Sequence, residues 1–372
     1  MSTPFVIAAG GTGGHLFPAE ALAVEFLEAG GNVHLLTDAR AEAFSGRVAE
    51  VETHHVRAAQ LGGGAAHAAH ALGELAVGTL QARRLLRRLA PSCVIGFGGY
   101  ASIPTMLAAV SLGLPTMIHE QNAILGRANR LLAPRMRRIA TGFPSTSGLR
   151  AADRIRIVQT GNPVRPAVLA VAQTKYKSPQ RGGPIELLVL GGSQGARIMS
   201  EAVPPALAVL PMRLREVLRV SQQARPEDLP AAEAIYRKNR IQVELQSFFD
   251  DVAERLARAH LVISRAGAST VAELAAVGRP AVMIPYPHAT DDHQAANARA
   301  FADAGAGWVI AQSELRPDTF ALYLENLLGD PTALAEAARN AREFGRPGAA
   351  RDLAQLAIEL GLESRTQRRA AA

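Results

Sequence analysis

Three glycine-rich segments could bind an anion. Residues 10–14, 96–99 and 191–195 each follow a short apolar run. A glycine turn between a strand and a helix lets backbone N–H groups approach an anion closely, and the helix adds its positive end. None of the segments has the spacing of a P-loop or of a strict Gly-x-Gly-x-x-Gly site, which disfavours nicotinamide and flavin cofactors. The segments predict a phosphorylated ligand; a tight turn without a ligand is the alternative for any one of them.

His15 directly follows the first glycine segment. We expect it at the start of a helix and at the mouth of a ligand site. A histidine in that position can act as a general base or orient a hydroxyl group. Capping of the helix, or a hydrogen bond to the backbone, is the alternative role.

Small and hydroxyl side chains follow another apolar run, residues 261–263. Ser269 and Thr270 are expected near a helix N-terminus, which suits a diphosphate. Glu273 lies three residues beyond Thr270. It could complete a capping box or accept hydrogen bonds from the two hydroxyls of a ribose. The residues alone leave these two interpretations equal.

Two further polar clusters follow predicted strands. Residues 119–122 are His-Glu-Gln-Asn, whose amide and carboxylate groups predict hydrogen bonds to sugar hydroxyls, with surface solvation as the alternative. Residues 291–293 are Asp-Asp-His, which hints at a metal site. The two acids lie side by side and no second ligand cluster is evident, so helix capping with sugar hydrogen bonding is favoured.

These residues need strands and helices to bring them together. Short apolar runs alternate with longer helical patterns, which predicts an α/β fold with parallel sheets. Both glycine segments 10–14 and 191–195 resemble the turn that opens a Rossmann-type domain. We expect two Rossmann-like parallel-sheet domains facing a cleft, residues 1–163 and 164–345. A final helix with a basic tail, residues 346–372, is expected to cross back to the first domain.

Composition limits the class of protein. The 372 residues are 48% hydrophobic, enough for two cores of roughly 150 to 200 residues each. Residues 89–118 carry no formal charge, but glycine and proline divide them into pieces too short to cross a bilayer, so the chain is expected to be soluble. Cys93 is expected to be buried rather than catalytic. The formal charge of +7 suits a phosphorylated substrate or anionic lipid, and scarce aromatics make nucleic acid the least expected partner.

Seven motifs, in order over nearly the whole chain, together resemble one family. They lie at residues 10–15, 96–100, 119–122, 161–165, 191–196, 264–270 and 291–294. The chain resembles the MurG family, N-acetylglucosaminyltransferases that complete the lipid-linked disaccharide-pentapeptide of bacterial peptidoglycan. The resemblance implies a GT-B fold and transfer, with inversion, of GlcNAc from UDP-GlcNAc to the 4-hydroxyl of MurNAc in undecaprenyl-pyrophosphoryl-MurNAc-pentapeptide.

The resemblance also implies roles for individual residues. His15 would be the catalytic base, and Arg165 would meet the diphosphate. The other predicted donor-binding residues are Thr12, Gly13, Gly14, Asn122, Ser193, Phe249 through its backbone, Ala268, Ser269, Thr270, Val271, Ala272, Glu273 and Gln294. No cofactor and no strict metal requirement are expected, because backbone amides and Arg165 would stabilise the leaving diphosphate. One departure lies at residues 60–64, where the family often has an arginine and this chain has none.

A membrane-facing role is expected because the acceptor's polyprenyl tail stays in the bilayer. Apolar and basic residues recur at helical spacing in one segment: Leu72, Leu75, Leu80, Arg83, Arg84, Arg87 and Arg88. A core-facing helix with a solvated basic end is the alternative. The resemblance implies a peripheral enzyme on the cytoplasmic face of the bacterial inner membrane, with other cell-wall synthesis or division proteins as candidate partners.

Other functions fit the same architecture. A UDP-GlcNAc 2-epimerase or an antibiotic glycosyltransferase can share this fold and donor site. A noncatalytic UDP-sugar-binding or membrane-recruiting subunit would bind the donor without turnover.

Overall fold

The structure is a computed structural model that describes residues 3–10, 13–38, 48, 51–59, 64–192 and 196–370. The chain divides into two compact units. Unit 1 comprises residues 1–165 and 348–372, and unit 2 comprises residues 166–347.

Unit 1 is an α/β unit built around one parallel sheet. Its strands are β1 Phe5–Ala8, β2 Val33–Thr37, β3 Glu52–His55, β4 Cys93–Gly96, β5 Thr116–Glu120, β6 Arg138–Thr141 and β7 Ile157–Gln159. Its α-helices are α1 Gly13–Glu28, α2 Ala65–Leu89, α3 Ser102–Ser111, α4 Arg127–Leu132 and α14 Ala349–Ala370. Short 3-10 helices lie at Ala133–Arg135 and Ala151–Arg156.

The described strands of unit 1 follow the order β3-β2-β1-β4-β5-β6-β7. This order contains the Rossmann arrangement, in which the chain reverses its direction of winding between β1 and β4. Alternate residues of β1 pack on opposite faces, with Val6 against one helix layer and Ile7 against the other. Helix α14 joins the second layer, where Leu353 and Leu360 are buried with Ile7.

Unit 2 repeats this architecture. Its strands are β8 Ile185–Leu190, β9 Leu218–Gln223, β10 Gln242–Gln246, β11 Leu261–Ser264, β12 Ala281–Met283 and β13 Gly307–Val309. Its α-helices are α5 Pro166–Val171, α6 Arg197–Ala208, α7 Met212–Arg215, α8 Leu229–Lys238, α9 Val252–Arg258, α10 Ala268–Val277, α11 His293–Asp303, α12 Pro317–Leu328 and α13 Pro331–Phe344. Short 3-10 helices lie at Thr290–Asp292 and Gln312–Glu314. The parallel order β10-β9-β8-β11-β12-β13 places the reversal between β8 and β11.

The charge-free stretch 89–118 forms β4, α3 and the start of β5, which confirms its division into short elements. Among the helices that the structure describes, none combines the length and apolar character needed to span a bilayer. Cys93 is buried in β4, and this burial raises the pKa of its thiol to about 12. At neutral pH the thiol is therefore protonated, as expected for a core residue rather than a nucleophile.

Candidate active site

The loops after β1 and β4 of unit 1 are packed together closely. A Cβ atom on Gly99 would lie 2.7 Å from the carbonyl oxygen of Gly10, and Gly99 has a φ of +72°. Both facts exclude a side chain there without movement of the backbone. The glycines therefore let the two loops meet at the carboxyl ends of adjacent strands, where ligands bind in open α/β sheets.

His15 lies in the first turn of α1, over these loops. A Cβ atom on Gly98 would lie 3.5 Å from Cε1 of His15, and one on Gly99 would lie 3.4 Å from Cδ2. The imidazole Nδ1 is 3.1 Å from Oε1 of Gln121, which follows β5. The ring is half-buried. Residues from three loops thus fix the position of one imidazole.

The hydrogen-bond network around Gln121 determines which nitrogen of His15 carries the proton. The Gln121 amide nitrogen donates to the carbonyl oxygens of Phe97 and His119, at 3.0 Å each. Because carbonyl oxygens only accept, the amide oxygen must face His15, and His15 must donate to it from Nδ1. The Nε2 atom of neutral His15 therefore has its lone pair available.

His119 supports the same assignment. Its Nε2 lies 2.9 Å from the carbonyl oxygen of Gly161, so Nε2 carries a proton and Nδ1 can accept from the Gln121 amide at 3.1 Å. Burial lowers the pKa of His119 to about 4. The ring is therefore neutral at physiological pH. The hydrogen bonds then run in one direction: His15 donates to Gln121, Gln121 donates to His119, and His119 donates to the carbonyl oxygen of Gly161.

The predicted sugar-binding cluster at residues 119–122 is mostly internal. Glu120 is buried, and its carboxylate accepts hydrogen bonds from the backbone N–H groups of Asn122 and Gly126 and from the side chain of Asn129, at 2.9 to 3.0 Å. A buried carboxylate needs such partners to offset its lost hydration. His119, Glu120 and Gln121 therefore shape the loop, and the expectation that they bind sugar hydroxyls was wrong. Asn122 remains half-buried.

Arg165 is the last residue of the first segment of unit 1. It is half-buried, and its guanidinium carbon lies 5.9 Å from the ring centroid of Phe17. Phe17 follows His15 by two residues in α1. A permanent positive charge thus lies near the start of that helix, where Gly13 and Gly14 form the first two residues.

In unit 2, the start of α10 presents backbone donors after β11. Gly267 is the N-cap residue, and the first helical hydrogen bond runs from Val271 N to Gly267 O at 3.0 Å. The N–H groups of Ala268, Ser269 and Thr270 therefore point out of the helix end and can bind an anion. Val271 is buried and Ala272 is half-buried behind them.

The N-cap position also decides between the two interpretations of Glu273. Thr270 occupies the third helical position, and Gly267 has no side chain with which to form a capping box. The capping role was therefore wrong. Glu273 is 9% exposed in the second turn of α10, where its carboxylate remains a candidate acceptor for ligand hydroxyls.

Arg265 holds the loop between β11 and α10. Its guanidinium donates to the carbonyl oxygens of Ile284 and Pro285 at 3.0 Å and to the side chain of Gln312 at 2.8 Å. Burial lowers the pKa of this arginine. Its donors are directed to protein oxygens, so it orders the loop. The sequence places Arg265 in the motif at residues 264–270 but does not predict this role.

The segment before α11 differs from its prediction. Asp291 and Asp292 have φ values of 54° and 55°, and Asp292 at the N-cap makes no side-chain capping hydrogen bond. The expectation that Asp292 caps the helix was wrong. Gln294 accepts from the backbone N–H of Tyr286 at 3.0 Å through Oε1. That bond directs the Gln294 amide NH₂ away from Tyr286, where it can donate to a ligand.

Phe249, Thr12 and Ser193 are the remaining predicted donor residues, and residues 60–63 form the loop that departs from the family pattern. Phe249 is buried beneath the guanidinium of Arg255, whose central carbon lies 3.9 Å from the ring centroid, so only its backbone could meet a ligand. Thr12, Ser193 and the loop at residues 60–63 lie outside the described residues.

Helix α2 carries the predicted membrane residues, and one of them faces elsewhere. Leu75 is buried in the core of unit 1, whereas Arg83 is half-buried and donates to Ser111. The expectation that Leu75 faces a membrane was therefore wrong. The exposed set comprises Leu72, Val77, Leu80, Arg84, Arg87 and Arg88. At about 100° per residue these side chains cover one side of the helix, which we call the exposed face of α2.

Gln121 was missed as a partner of the predicted base. It is separated from His15 by 106 residues, and no local pattern links them. The rule that parallel strands end at the same edge could have placed them near each other. It could not have given the orientation of the amide.

Both units of the chain match domains of one glycosyltransferase family. Residues 5–141 match the glycosyltransferase family 28 N-terminal domain, and residues 186–353 match the glycosyltransferase family 28 C-terminal domain. The first match contains strands β1 to β6 of unit 1, and the second contains β8, from its second residue, to β13 of unit 2.

Curated relatives match over nearly their whole length. The chain is 55% identical to the UDP-N-acetylglucosamine--N-acetylmuramyl-(pentapeptide) pyrophosphoryl-undecaprenol N-acetylglucosamine transferase of Rhodospirillum centenum, over 95% of this chain and 94% of the relative. It is 49% identical to the protein of the same name from Rhizobium etli, over 94% of each.

A solved structure agrees with these relatives. MurG of Acinetobacter baumannii superposes with a TM-score of 0.79 and 30% identity, covering 96% of this chain and all of that one. The glycosyltransferase of kitacinnamycin has a TM-score of 0.68 at 17% identity, over 96% of this chain and 100% of its own, and shares the fold. The two parallel sheets are thus the Rossmann-like domains of the GT-B fold, and the chain belongs to the MurG family of N-acetylglucosamine transferases.

Proposed function

We propose that this chain transfers N-acetylglucosamine from UDP-N-acetylglucosamine to N-acetylmuramyl-(pentapeptide) pyrophosphoryl-undecaprenol. The geometry that supports this reaction best is the oriented imidazole of His15, whose Nδ1–H donates to Gln121 at the carboxyl ends of β1, β4 and β5. A neutral imidazole with one nitrogen fixed as donor leaves the other as a proton acceptor. Relatives of 49 to 55% identity bear the name of this activity.

The proposed chemical step is a single displacement at the anomeric carbon. The 4-hydroxyl oxygen of the muramoyl sugar attacks that carbon, and its proton passes to Nε2 of His15. The bond from the anomeric carbon to the diphosphate oxygen breaks, and UDP leaves with the electron pair. Attack from the face opposite UDP inverts the configuration.

Donor binding is assigned to the loops of unit 2. The first N–H groups of α10 would hold the diphosphate, Glu273 would accept from the ribose, and the Gln294 amide would donate to the sugar. Arg165 would neutralise the charge that develops on the leaving diphosphate. Preorganised donors of this kind stabilise a transition state by about 3 kcal/mol each.

A transfer assay tests the proposal directly. The purified chain is incubated with radiolabelled UDP-N-acetylglucosamine and a short-chain analogue of the lipid acceptor, with and without a chelator. We expect labelled disaccharide lipid in both cases. Binding of the donor without consumption would instead indicate a noncatalytic subunit, and a labelled epimer in place of the disaccharide lipid would indicate an epimerase.

Replacing Gln121 with leucine should lower kcat by up to about 10²-fold, because a mispositioned base is costly even when the base itself is present. The KM for the donor should change little, since Gln121 is 2% exposed and its amide bonds to His15, Phe97 and His119. Steady-state kinetics separate the two parameters.

Gln222→Leu is the matched control. Gln222 is also a buried glutamine, but it lies in β9 and bonds to Tyr236 and Met199. Both variants should lower the melting temperature, and only Gln121→Leu should lower kcat in folded protein. Equal effects of the two on kcat would contradict the positioning role.

We also propose that the exposed face of α2 contacts anionic lipid at the cytoplasmic face of the bacterial inner membrane. Leu72 and Leu80 are 60% and 57% exposed. Arg84 and Arg87 are exposed on the same side. Exposed leucines beside arginines suit a headgroup layer, since apolar groups insert while cations meet phosphate.

The variant Arg84→Gln/Arg87→Gln should bind anionic vesicles roughly 30-fold more weakly, because each arginine contributes about 1 kcal/mol near such a surface. Vesicle sedimentation measures the partition. The control Arg237→Gln/Arg339→Gln removes two exposed arginines of unit 2 and should bind as the unmodified chain does. Equal binding by all three proteins would refute the role of this face.

A further inference from the structure

A second cluster of chemically active side chains lies at one edge of the sheet of unit 1. His34 belongs to β2, and Glu52 and His54 belong to β3, the terminal strand among those described. His34 is paired with Glu52 in the register, and Leu36 is paired with His54. Side chains two residues apart in a strand share a face. All three side chains therefore project from the same face of the sheet.

Their ligand atoms are close enough to share one ion. His34 Nδ1 lies 3.1 Å from His54 Nε2 and 3.3 Å from a carboxylate oxygen of Glu52. His54 Nε2 lies 3.6 Å from the other carboxylate oxygen. A tetrahedral ion with nitrogen and oxygen ligands at about 2.0 Å separates its ligands by about 3.3 Å. The three distances in the cluster, 3.1, 3.3 and 3.6 Å, are close to this separation.

Charge and burial are also compatible with a cation. The side chains of His34 and His54 are 7% and 16% exposed, whereas Glu52 is 66% exposed and can adjust to an ion. The Glu52 carboxylate supplies the negative charge that a cation site needs, and Arg88 and His55 are the basic groups that also act on His54.

We propose that His34, Glu52 and His54 bind one divalent transition-metal ion of the zinc class, with solvent completing the coordination. Two imidazoles and one carboxylate suit such ions. The three ligands belong to β2 and β3, and none belongs to the loops after β1, β4 and β5 that form the candidate active site. The ion would therefore fasten β3 to β2.

The test uses the untagged full-length chain, stripped of metal by a chelator and titrated with Co²⁺ as a spectroscopic probe. We expect one equivalent to bind with the visible absorption of a tetrahedral site, Zn²⁺ to displace it, and the melting temperature to rise. His54→Gln and Glu52→Gln should each weaken binding at least about tenfold, since even groups that only orient ligands contribute this much.

His55→Gln is the matched control, because His55 follows His54 on β3 and projects to the opposite face. It should bind Co²⁺ as the unmodified chain does. If His54→Gln does not fold, Glu52→Gln alters a mostly exposed side chain and still gives the answer. Absence of Co²⁺ binding, or equal binding by Glu52→Gln, would overturn the proposal. Transfer activity of Glu52→Gln should be unchanged, so failure here is separate from failure of the proposed function.

Discussion

Replacing His15 with alanine should lower kcat by about 10²- to 10⁴-fold, the usual contribution of a positioned proton acceptor. The KM for UDP-N-acetylglucosamine should change much less, because the proton is transferred only in the transition state and not in donor binding. Steady-state kinetics with a short-chain acceptor measure both parameters. The structure supports this large effect because Gln121 holds the ring in one tautomer.

The control for His15 is His55→Ala, which removes an exposed histidine of the same unit. It should retain full activity. Thermal melting of both variants separates catalysis from folding. A high kcat in His15→Ala together with a raised KM would assign His15 to binding and would remove it as the base.

Replacing Glu273 with alanine should weaken UDP binding by roughly 10- to 100-fold, because hydrogen bonds to a charged group contribute about 1.5 to 3 kcal/mol. Glu273 is 9% exposed, so water replaces its carboxylate poorly as an acceptor for ribose hydroxyls. Titration calorimetry with UDP measures the change. Glu273→Gln keeps one acceptor oxygen, so its affinity for UDP should lie between those of the unmodified chain and of Glu273→Ala.

Glu254→Ala is the matched control, since Glu254 is an exposed acid of α9 in the same unit. Its affinity for UDP should equal that of the unmodified chain. If Glu273→Ala melts at a lower temperature but binds UDP normally, Glu273 stabilises α10 and does not contact the donor.

Much of the fold could be predicted from local patterns. The stretch 89–118 illustrates this, because glycine and proline punctuate its apolar residues and a strand cannot continue through them. Two of the three glycine segments, residues 10–14 and 191–195, likewise follow β1 and β8, the strands at which the order of each sheet reverses. Turns and short strands depend mainly on residues that are adjacent in the chain. The amino-acid sequence is therefore sufficient to predict them.

Burial on a helix was harder to predict than the helix itself. Leu72, Leu75 and Leu80 recur at helical spacing, but Leu75 is 8% exposed while Leu72 is 60% exposed. The spacing shows that they share a helix. Only the packing of α2 against α3 and the core of unit 1 decides which of them is buried.

The amino-acid sequence by itself determined the alternation of strands and helices, the placement of glycine turns after strands, and the presence of His15 at a helix start. Only the tertiary structure decided that Gln121 directs its oxygen to His15, that the Glu120 carboxylate is bonded within its own loop, and that Gly267 rather than Thr270 is the N-cap of α10. The physical reason is that turn and strand preferences are properties of adjacent residues. A hydrogen bond's direction depends on every donor and acceptor that folding brings within about 3 Å.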